Sequence, residues 1–245
     1  MSKKSGINIK KKGSANTFEA FLTTYCSEEW IFLVKNYLKV KSFKKDQRII
    51  SEGDNVIGVY FINKGMVKIV SYFDKSNERI LRLSSHGSFV GHRGLFSKQY
   101  PISAIALSDT EVTFIPMDIF TMLIKTNPDF SLFMISFISE DLRRTEEQMK
   151  NMIHGEVLIR ISIIICMLID AFGYDTKEKF RLNYTLSRRD IANIAGTTYE
   201  SVIRSLAQLE IKKIITVDGK SFIISKEVEL RKLAGNKEKR NYLQN

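Results

Sequence analysis

The chain has 245 residues, 44% of them hydrophobic, and its 38 Lys+Arg against 27 Asp+Glu give a formal net charge of +11. The apolar share excludes a disordered protein, and the length suits one large domain or two small ones. The positive charge favours a polyanionic partner, with nucleic acid as the first candidate, although a role in solubility explains charge alone equally well.

The first 17 residues are polar and carry five lysines, with no acidic residue before Glu19. We expect a disordered basic arm over residues 1–17. The two cysteines, Cys26 and Cys166, are too few and too far apart to suggest a disulfide framework, so a reducing cytoplasm is expected. The most apolar run, residues 161–169, is shorter than the roughly 18 residues that span a bilayer, so no membrane partner is expected.

Residues 18–126 are predicted to form a small β-roll. A helical segment with an aromatic face, residues 18–37, precedes a series of brief apolar runs separated by glycines. The β-branched and aromatic run 59–62, the turn at 63–65 and the run 66–70 fit two paired strands. Short strands at this spacing are typical of a barrel or a roll.

One long helix is predicted over residues 127–153. Asn127 suits a helix cap and Pro128 suits a first turn, and no glycine or further proline interrupts the segment. With about 25 residues at 1.5 Å each, the helix is about 37 Å long. Because a small roll cannot cover that length, a second copy of the helix is predicted as its partner, with burial inside one chain as the alternative. The predicted dimer interface consists of Phe130, Phe133, Phe137, Leu142, Met149 and Met152.

A helix-turn-helix is predicted within a domain of residues 154–235. Ser187 with Asp190 three residues later resembles a capping box, which begins a helix. Gly196 permits the left-handed turn that ends this helix. Thr198, or the threonine before it, then caps a second helix.

A β-hairpin is predicted directly after the second helix. Two apolar strands, residues 214–217 and 220–224, flank Asp218-Gly219, which is a strong signal for a two-residue turn. A hairpin in this place is typical of the wing of a winged helix. A charged tail, residues 236–245, closes the chain.

The outer face of the second helix is predicted to enter the major groove of DNA. Arg204 can donate two hydrogen bonds to guanine, and Glu200, four residues earlier, can accept one from cytosine. An ion pair between the two side chains on a solvated face is the alternative. Lys212 and Lys220 are predicted to meet phosphates. The full predicted DNA-binding set is Ser187, Arg188, Thr197, Thr198, Tyr199, Glu200, Ser201, Arg204, Lys212 and Lys220.

Taken in order, these motifs resemble the CRP/FNR superfamily of transcription regulators over nearly the whole chain from about residue 18. The matching segments are 51–54, 59–68, 87–96 and 186–224. The resemblance implies an α+β fold, in which a cyclic-nucleotide-binding-like β-roll is joined by a long dimerisation helix to a C-terminal winged helix-turn-helix. It also implies a homodimer that reads an inverted-repeat site in double-stranded DNA and contacts RNA polymerase.

Within the family's reading helix, Glu200 and Arg204 match positions that read bases. Tyr199 stands where the cyclic-AMP-responsive members carry an arginine, and a tyrosine cannot make a bidentate contact with guanine. We therefore expect a target sequence different from that of the cyclic-AMP-responsive members.

The resemblance also marks an effector pocket, which departs from the cyclic-nucleotide pattern. His92 stands where nucleotide binders carry a glutamate for the ribose, and Ile102 where they carry an arginine for the phosphate. An apolar side chain cannot neutralise a phosphate, so no tight binding of cyclic AMP is expected. Two cysteines are too few for an iron–sulfur cluster, so no other cofactor is expected, and the sequence does not identify a small-molecule effector. The degenerate pocket is predicted near Gly91, His92, Arg93, Ile102, Ser103 and Thr145.

The sequence disfavours two other classes of protein. A sensor module that regulates a partner protein without binding DNA is disfavoured by the complete helix-turn-helix and wing. An enzyme is disfavoured because the sequence carries no paired carboxylates, Walker loop, metal-ligand spacing or nucleophile elbow.

Overall fold

The structure, a computed structural model, describes residues 17–72, 78–154 and 156–235. The basic arm up to residue 16, the charged tail and the side chain of Met152 lie outside the described residues. The helices are α1 (Phe18–Tyr25), α2 (Glu28–Lys35), α3 (Met117–Thr126), α4 (Pro128–His154), α5 (Val157–Phe172), α6 (Arg188–Ala195), α7 (Tyr199–Ile211) and α8 (Glu227–Leu233). The strands are β1 (Lys39–Phe43), β2 (Arg48–Ile50), β3 (Gly58–Lys64), β4 (Met66–Tyr72), β5 (Glu78–Ser85), β6 (Phe89–Val90), β7 (Ser103–Ala106), β8 (Thr110–Pro116), β9 (Ile215–Asp218) and β10 (Ser221–Ile224).

Strands β1 to β8 form two antiparallel four-stranded sheets, in the orders β1-β8-β3-β6 and β2-β7-β4-β5. Both predicted strands are present, as β3 and β4, but the prediction that they pair with each other is wrong. β3 lies between β8 and β6 in one sheet, and β4 lies between β7 and β5 in the other, because the turn at Gly65 carries the chain from the first sheet to the second. Tyr60 and Ile62 from one sheet and Val67 and Ile69 from the other are buried in one apolar cluster. These side chains from the two sheets pack against each other inside the roll. The prediction of a β-roll is confirmed.

A cluster of phenylalanines joins the roll to the helices beside it. Phe18, Phe61, Phe89 and Phe120 are fully buried, and Phe130 from the first turn of α4 joins them with 0% of its surface exposed. The rings of Phe120 and Phe130 meet edge to face at 5.8 Å between centroids. Each buried ring contributes roughly 1.5–3 kcal/mol to folding, so this cluster fixes α4 on the roll.

Burial of Phe130 corrects the predicted dimer interface. Helical spacing identifies an apolar stripe but does not show whether the same chain or a second chain covers it. In the structure, the first turns of α4 pack on the roll of the same chain. Phe133 packs on Phe21, with ring centroids 4.8 Å apart, and Phe137 packs on Phe89 at 5.8 Å. Phe130, Phe133 and Phe137 are therefore contacts within the chain.

A second stripe on α4 is exposed. Ile135, Ile138, Leu142 and Met149 carry between 46% and 61% of their possible exposed surface. With Thr145 they follow one another at spacings of three and four residues, which is the heptad pattern of a coiled-coil seam. Two of these residues, Leu142 and Met149, belong to the predicted interface, whereas the two isoleucines do not.

The C-terminal helices and the hairpin β9–β10 form a second apolar core around α5. This core continues into the roll, because Ile80 of β5 and Ile105 of β7 are buried in the same cluster as Ile191 of α6. Asn193 of α6 accepts a hydrogen bond from the backbone N–H of Ile80 at 3.2 Å and donates one to the carbonyl oxygen of Glu78. The winged domain is thereby docked on strand β5. None of the helices within the described ranges is long and apolar enough to cross a membrane.

Candidate nucleic-acid interface

The helix-turn-helix begins with the predicted cap. The Ser187 hydroxyl accepts from the backbone N–H of Asp190 at 3.1 Å and donates to its carboxylate at 2.7 Å. Helix α6 ends at Gly196, whose φ of 56° and ψ of 48° lie in the left-handed region. The backbone N–H of Thr197 then donates to the carbonyl of Ala192 at 3.0 Å, which closes the turn.

Helix α7 is capped by Thr198, whose hydroxyl accepts from the backbone N–H of Ser201 at 3.3 Å. Val202, Leu206 and Leu209 are buried against the rest of the domain. This leaves an outer face near the amino end of α7 that is accessible to solvent, composed of Tyr199, Glu200, Ile203 and Arg204 with the half-buried Ser201.

Within that face Glu200 and Arg204 do not form the alternative ion pair. The guanidinium of Arg204 donates to the Ser201 hydroxyl at 3.4 Å. The backbone at the start of the helix and the Thr198 hydroxyl hold the pKa of Glu200 below its usual value, and Arg204 contributes less. Both charged groups are therefore free to turn towards an incoming base pair.

Arg188, one of the predicted DNA contacts, holds the wing in place. Its guanidinium donates to the carbonyl oxygens of Gly219 at 3.1 Å and Lys220 at 3.2 Å, at the tip of the hairpin. It also stacks over the ring of Phe222, 4.4 Å from the centroid. Burial lowers the pKa of Arg188. The side chain of Lys220 remains exposed at the tip, where the prediction requires it.

Lys212 lies at the opposite end of α7 from the reading face. Thirteen residues of helix span about 20 Å, and Lys212 is the residue that follows the last of them. It borders a shallow surface depression with Ile214, Glu229 and Lys232. The structure does not bring Lys212 together with the other predicted DNA contacts, because the length of α7 lies between them.

The predicted effector pocket is divided between two places. Gly91, in the left-handed region at φ 87°, turns the chain so that His92 lies buried beneath α4, with its ring 5.2 Å from that of Phe137. Ile102 instead belongs to the core between the two sheets. Ser103 is also buried, and its hydroxyl accepts from the backbone N–H of Glu52 at 2.8 Å.

Beneath α4 the structure assembles an ion-pair cluster, which we call the latch, from three different elements. The carboxylate of Asp141 in α4 accepts from Arg82 of β5 at 2.6 Å. It also accepts, at 2.7 Å, from Arg93 in the short helical turn His92–Gly94 after β6, which we call the cassette turn. Thr145, one turn further along α4, donates its hydroxyl to the backbone carbonyl of Asp141 at 2.9 Å. The latch joins the roll to the long helix at the predicted pocket.

Burial and charge determine the protonation of the latch. Burial raises the pKa of Asp141, but the guanidinium groups of Arg82 and Arg93 outweigh it, so the pKa stays below its usual value. Desolvation, assisted by Arg82, lowers the pKa of His92 to about 4. Nδ1 of His92 and Nε of Arg82 are buried and have no hydrogen-bond partner among the described residues. At neutral pH the pocket therefore holds a neutral imidazole beside charged arginines.

Arg82 and Asp141 are not among the residues predicted from the sequence, although one of them has a sequence signal. Asp141 follows Phe133 and Phe137 at intervals of four residues, which places a carboxylate on the face of α4 that packs on the roll. A charged residue on an apolar face requires a partner. Arg82 has no such signal, because it lies 59 residues from Asp141 in the chain.

The matches to known proteins agree with this arrangement. Residues 40–127 match the cyclic nucleotide-binding domain family, and residues 160–233 match the Crp-like helix-turn-helix domain family. The presence of the second domain decides against a sensor module without DNA binding.

Individual relatives match most of the chain. The global nitrogen regulator of Nostoc sp. is 26% identical over 194 residues, covering 78% of this chain and 87% of the relative. The cAMP-activated global transcriptional regulator CRP of Salmonella typhimurium is 27% identical over 201 residues, covering 80% and 92%. The solved structure of FixK2 from Bradyrhizobium japonicum shares the fold, with a TM-score of 0.71 at 20% identity, covering 80% of this chain and 96% of that one. The chain belongs to the CRP/FNR superfamily and is a DNA-binding transcription regulator of that type.

Proposed function

We propose that this regulator acts as a homodimer and reads an inverted-repeat DNA site with the amino end of α7. The observation that carries the proposal is the solvent-accessible outer face on which Glu200 and Arg204 lie four residues apart without pairing with each other. Arg204 then donates to guanine and Glu200 accepts from cytosine, so that the two residues read one G·C pair. A regulator of this kind works on the chromosome, in the cytoplasm, and acts through contact with RNA polymerase.

The remaining contacts fix the protein on the DNA backbone. Ser187 and Thr197 lie at the amino end of α6 and in the turn, where backbone amides and hydroxyls suit phosphate. Thr198 and Ser201 border the reading face. Lys220, at the tip of the wing, contacts a phosphate beside the major groove that α7 enters. These contacts position the helix and carry no sequence information.

Pairing of two long helices completes the reading unit. The seam is formed by Ile135, Ile138, Leu142, Thr145 and Met149, whose heptad spacing suits a parallel coiled coil. A two-fold axis along the seam relates two copies of α7. Half-sites are then about one helical turn of DNA apart.

The base-reading role is tested by selecting binding sites from random duplexes with wild type, Arg204→Ala and Lys220→Ala in parallel. Loss of a bidentate arginine contact costs about 1–3 kcal/mol and relaxes the preference at one G·C pair in each half-site. Loss of the wing lysine weakens binding to all sequences alike and lowers the salt slope by about one per protomer. If Arg204→Ala selects the wild-type motif with its information content intact, α7 does not read bases through Arg204.

The dimer is tested by sedimentation of Leu142→Glu, with Ser136→Glu on the same helix as the matched control. Leu142 is exposed on the seam, so the variant folds but places two carboxylates against each other in the dimer. We expect monomers for Leu142→Glu and dimers for the control at micromolar concentration. A wild-type protein that sediments as a monomer under these conditions contradicts the proposal.

We also propose that DNA binding needs no cyclic nucleotide. The latch already joins the roll to α4 at the place where the family resemblance puts an effector, and Asp141 already satisfies the charge of the two arginines. Cyclic AMP is expected to bind no better than millimolar in calorimetry. Micromolar affinity would show that Arg82 or Arg93 exchanges Asp141 for the phosphate.

A further inference from the structure

The tip of the wing is attached to the amino end of α6 through Arg188. The guanidinium donates to the carbonyl oxygens of Gly219 at 3.1 Å and of Lys220 at 3.2 Å. Its plane lies over the ring of Phe222, 4.4 Å from the centroid, and that ring is 0% exposed. The contact therefore uses both the fork and the face of a guanidinium, and an ammonium group has neither.

Other side chains hold the strands of the hairpin, whereas Arg188 holds its turn. Glu210 of α7 accepts from the backbone N–H of Val217 in β9 at 2.7 Å, and Arg181 pairs with the carboxylate of Asp218. Strands β9 and β10 have four residues each, and an isolated hairpin of this size is marginally stable. The position of the turn, residues 219–220, therefore depends on its contact with Arg188.

The same contact sets the direction of a backbone donor in the turn. The peptide between Gly219 and Lys220 is trans, so its carbonyl and its N–H point in opposite directions. Because the carbonyl of Gly219 faces Arg188, the N–H of Lys220 faces away from it. The side chain of Lys220 is exposed, so this residue presents a backbone donor and a cation, and both suit a phosphate.

Arg188 has its own donors occupied inside the domain. Its side chain is half-buried, and both terminal nitrogens of the guanidinium bind the turn. Burial lowers the pKa of Arg188, and the nearby Tyr199 and Glu210 oppose that shift in part. Tyr199 is the first residue of α7, so the guanidinium lies where α6, the wing and the reading helix meet.

We infer that Arg188 is a positioning residue for DNA binding, which acts through the wing and does not itself contact a phosphate. It holds the turn of the hairpin at a fixed place relative to α6 and α7, so that Lys220 reaches a phosphate while α7 lies in the major groove. The inference rests on the proposed contact of Lys220 with DNA. It requires the shape of the arginine side chain and not only its charge, because the groups that it binds are carbonyls and an aromatic ring.

The test compares variants by their affinity for a duplex that carries the selected inverted repeat, over a range of salt. Arg188→Lys keeps the charge, and Arg188→Met keeps an apolar stem over Phe222, so the test remains available if one of them does not fold. Lys220→Ala and the double variant with Arg188→Met complete a cycle. Arg181→Lys is the matched control, because Arg181 binds the carboxylates of Glu178 and Asp218, which an ammonium group can also pair with. Circular dichroism at the temperature of the titration verifies that each variant is folded.

We expect Arg188→Lys and Arg188→Met to lose as much affinity as Lys220→Ala, on the order of tenfold for the dimer at about 0.1 M salt. The salt slope falls by about two in each variant, one for each protomer. The double variant loses no more than either single variant, because both substitutions remove the same contact with DNA. Arg181→Lys binds like wild type. All variants select the wild-type motif, since a phosphate contact carries no sequence information.

Wild-type affinity of Arg188→Lys, together with additive losses in the double variant, would show that Arg188 meets a phosphate through its charge and would overturn the inference. Wild-type affinity of Arg188→Met would overturn it as well. If Lys220→Ala binds like wild type, there is no wing contact to position and the inference fails, while base reading by α7 stands. Failure of the proposed function is a separate outcome, because wild type would then not prefer the selected repeat over a scrambled duplex.

Discussion

The winged domain and the pocket beneath α4 treat their charged residues in opposite ways. On α7, Glu200 and Arg204 stand in solvent and leave each other unpaired, whereas in the latch Asp141 is only 8% exposed and is paired with two arginines. Charges that must recognise a partner stay hydrated until it arrives. Charges that hold two elements together are neutralised inside the fold, where an unpaired one is costly.

The largest loss of stability is expected from Asp141→Asn, which tests whether the paired charges of the latch stabilise the fold. The substitution keeps the shape but removes the counter-charge of Arg82 and Arg93. We expect the free energy of unfolding to fall by about 3 kcal/mol in urea titrations, at the low end for a buried pair because Arg93 is 38% exposed. Glu200→Gln is the matched control and is expected to change stability by at most about 0.5 kcal/mol. Similar costs for the two variants would mean that the latch does not stabilise the fold.

The second effect concerns pH and involves His92. Its pKa in the folded protein is about 4, below the roughly 6.5 of an unfolded histidine. Between these values the unfolded chain binds the proton and the folded chain does not, so stability is full above pH 6.5 and falls as the pH drops towards 4. At pH 5 the loss is about 2 kcal/mol.

Unfolding titrations at pH 7 and pH 5 measure this loss, and His92→Gln removes it. His86→Gln is the control, because a ring nitrogen of His86 contacts the backbone carbonyl oxygen of Asn63 outside the latch. If His92→Gln keeps the full difference between the two pH values, another group is responsible for it.

The smallest expected change in stability comes from the winged domain, at the residue that caps α7. Thr198→Ala removes the hydroxyl that caps α7 and is expected to cost about 1 kcal/mol of stability. Thr198→Ser keeps the cap and should remain near wild type. Thr197→Ala should also cost less than Thr198→Ala, since the threonine that caps α7 is Thr198. Thermal unfolding of the three variants ranks them, and a reversed order for the two alanine variants would contradict the assignment of the cap.

Local rules were sufficient for the reading helices. Caps and left-handed turns depend on residues three or four positions apart, so Ser187 and Gly196 could be assigned from the sequence. The cap of α7 was narrowed to two adjacent threonines, and the structure identifies Thr198. The same rules fail for Arg188, because only the folded hairpin brings the carbonyls of residues 219 and 220 to its guanidinium.

Helix α4 shows where periodicity reaches its limit. Its apolar residues form two stripes, and spacing near 3.6 residues does not separate the one that faces the roll from the one that faces solvent. Strict heptad spacing does separate them, since Ile135, Leu142 and Met149 are each seven residues apart. The predicted set mixed both stripes, and for that reason included Phe130.

The latch could not be predicted as a whole, because its members come from β5, the cassette turn and α4. Pairing between distant segments depends on how the sheets fold against the helix. The prediction of a degenerate pocket stopped at Ile102, an apolar residue in the expected position. In the structure the positive charge comes from another strand, as Arg82 of β5, and Asp141 of α4 is its counter-ion.

The contact between Asn193 and β5 also covers part of an exposed sheet edge. Strand β5 is the last in its sheet, and an edge strand with unpaired backbone groups invites pairing with the edges of other molecules. The amide of Asn193 occupies the N–H of Ile80 and the carbonyl of Glu78, so a side chain of the DNA-binding domain covers this edge. Separation of the winged domain from the roll would therefore leave these two backbone groups of the edge strand without their partner.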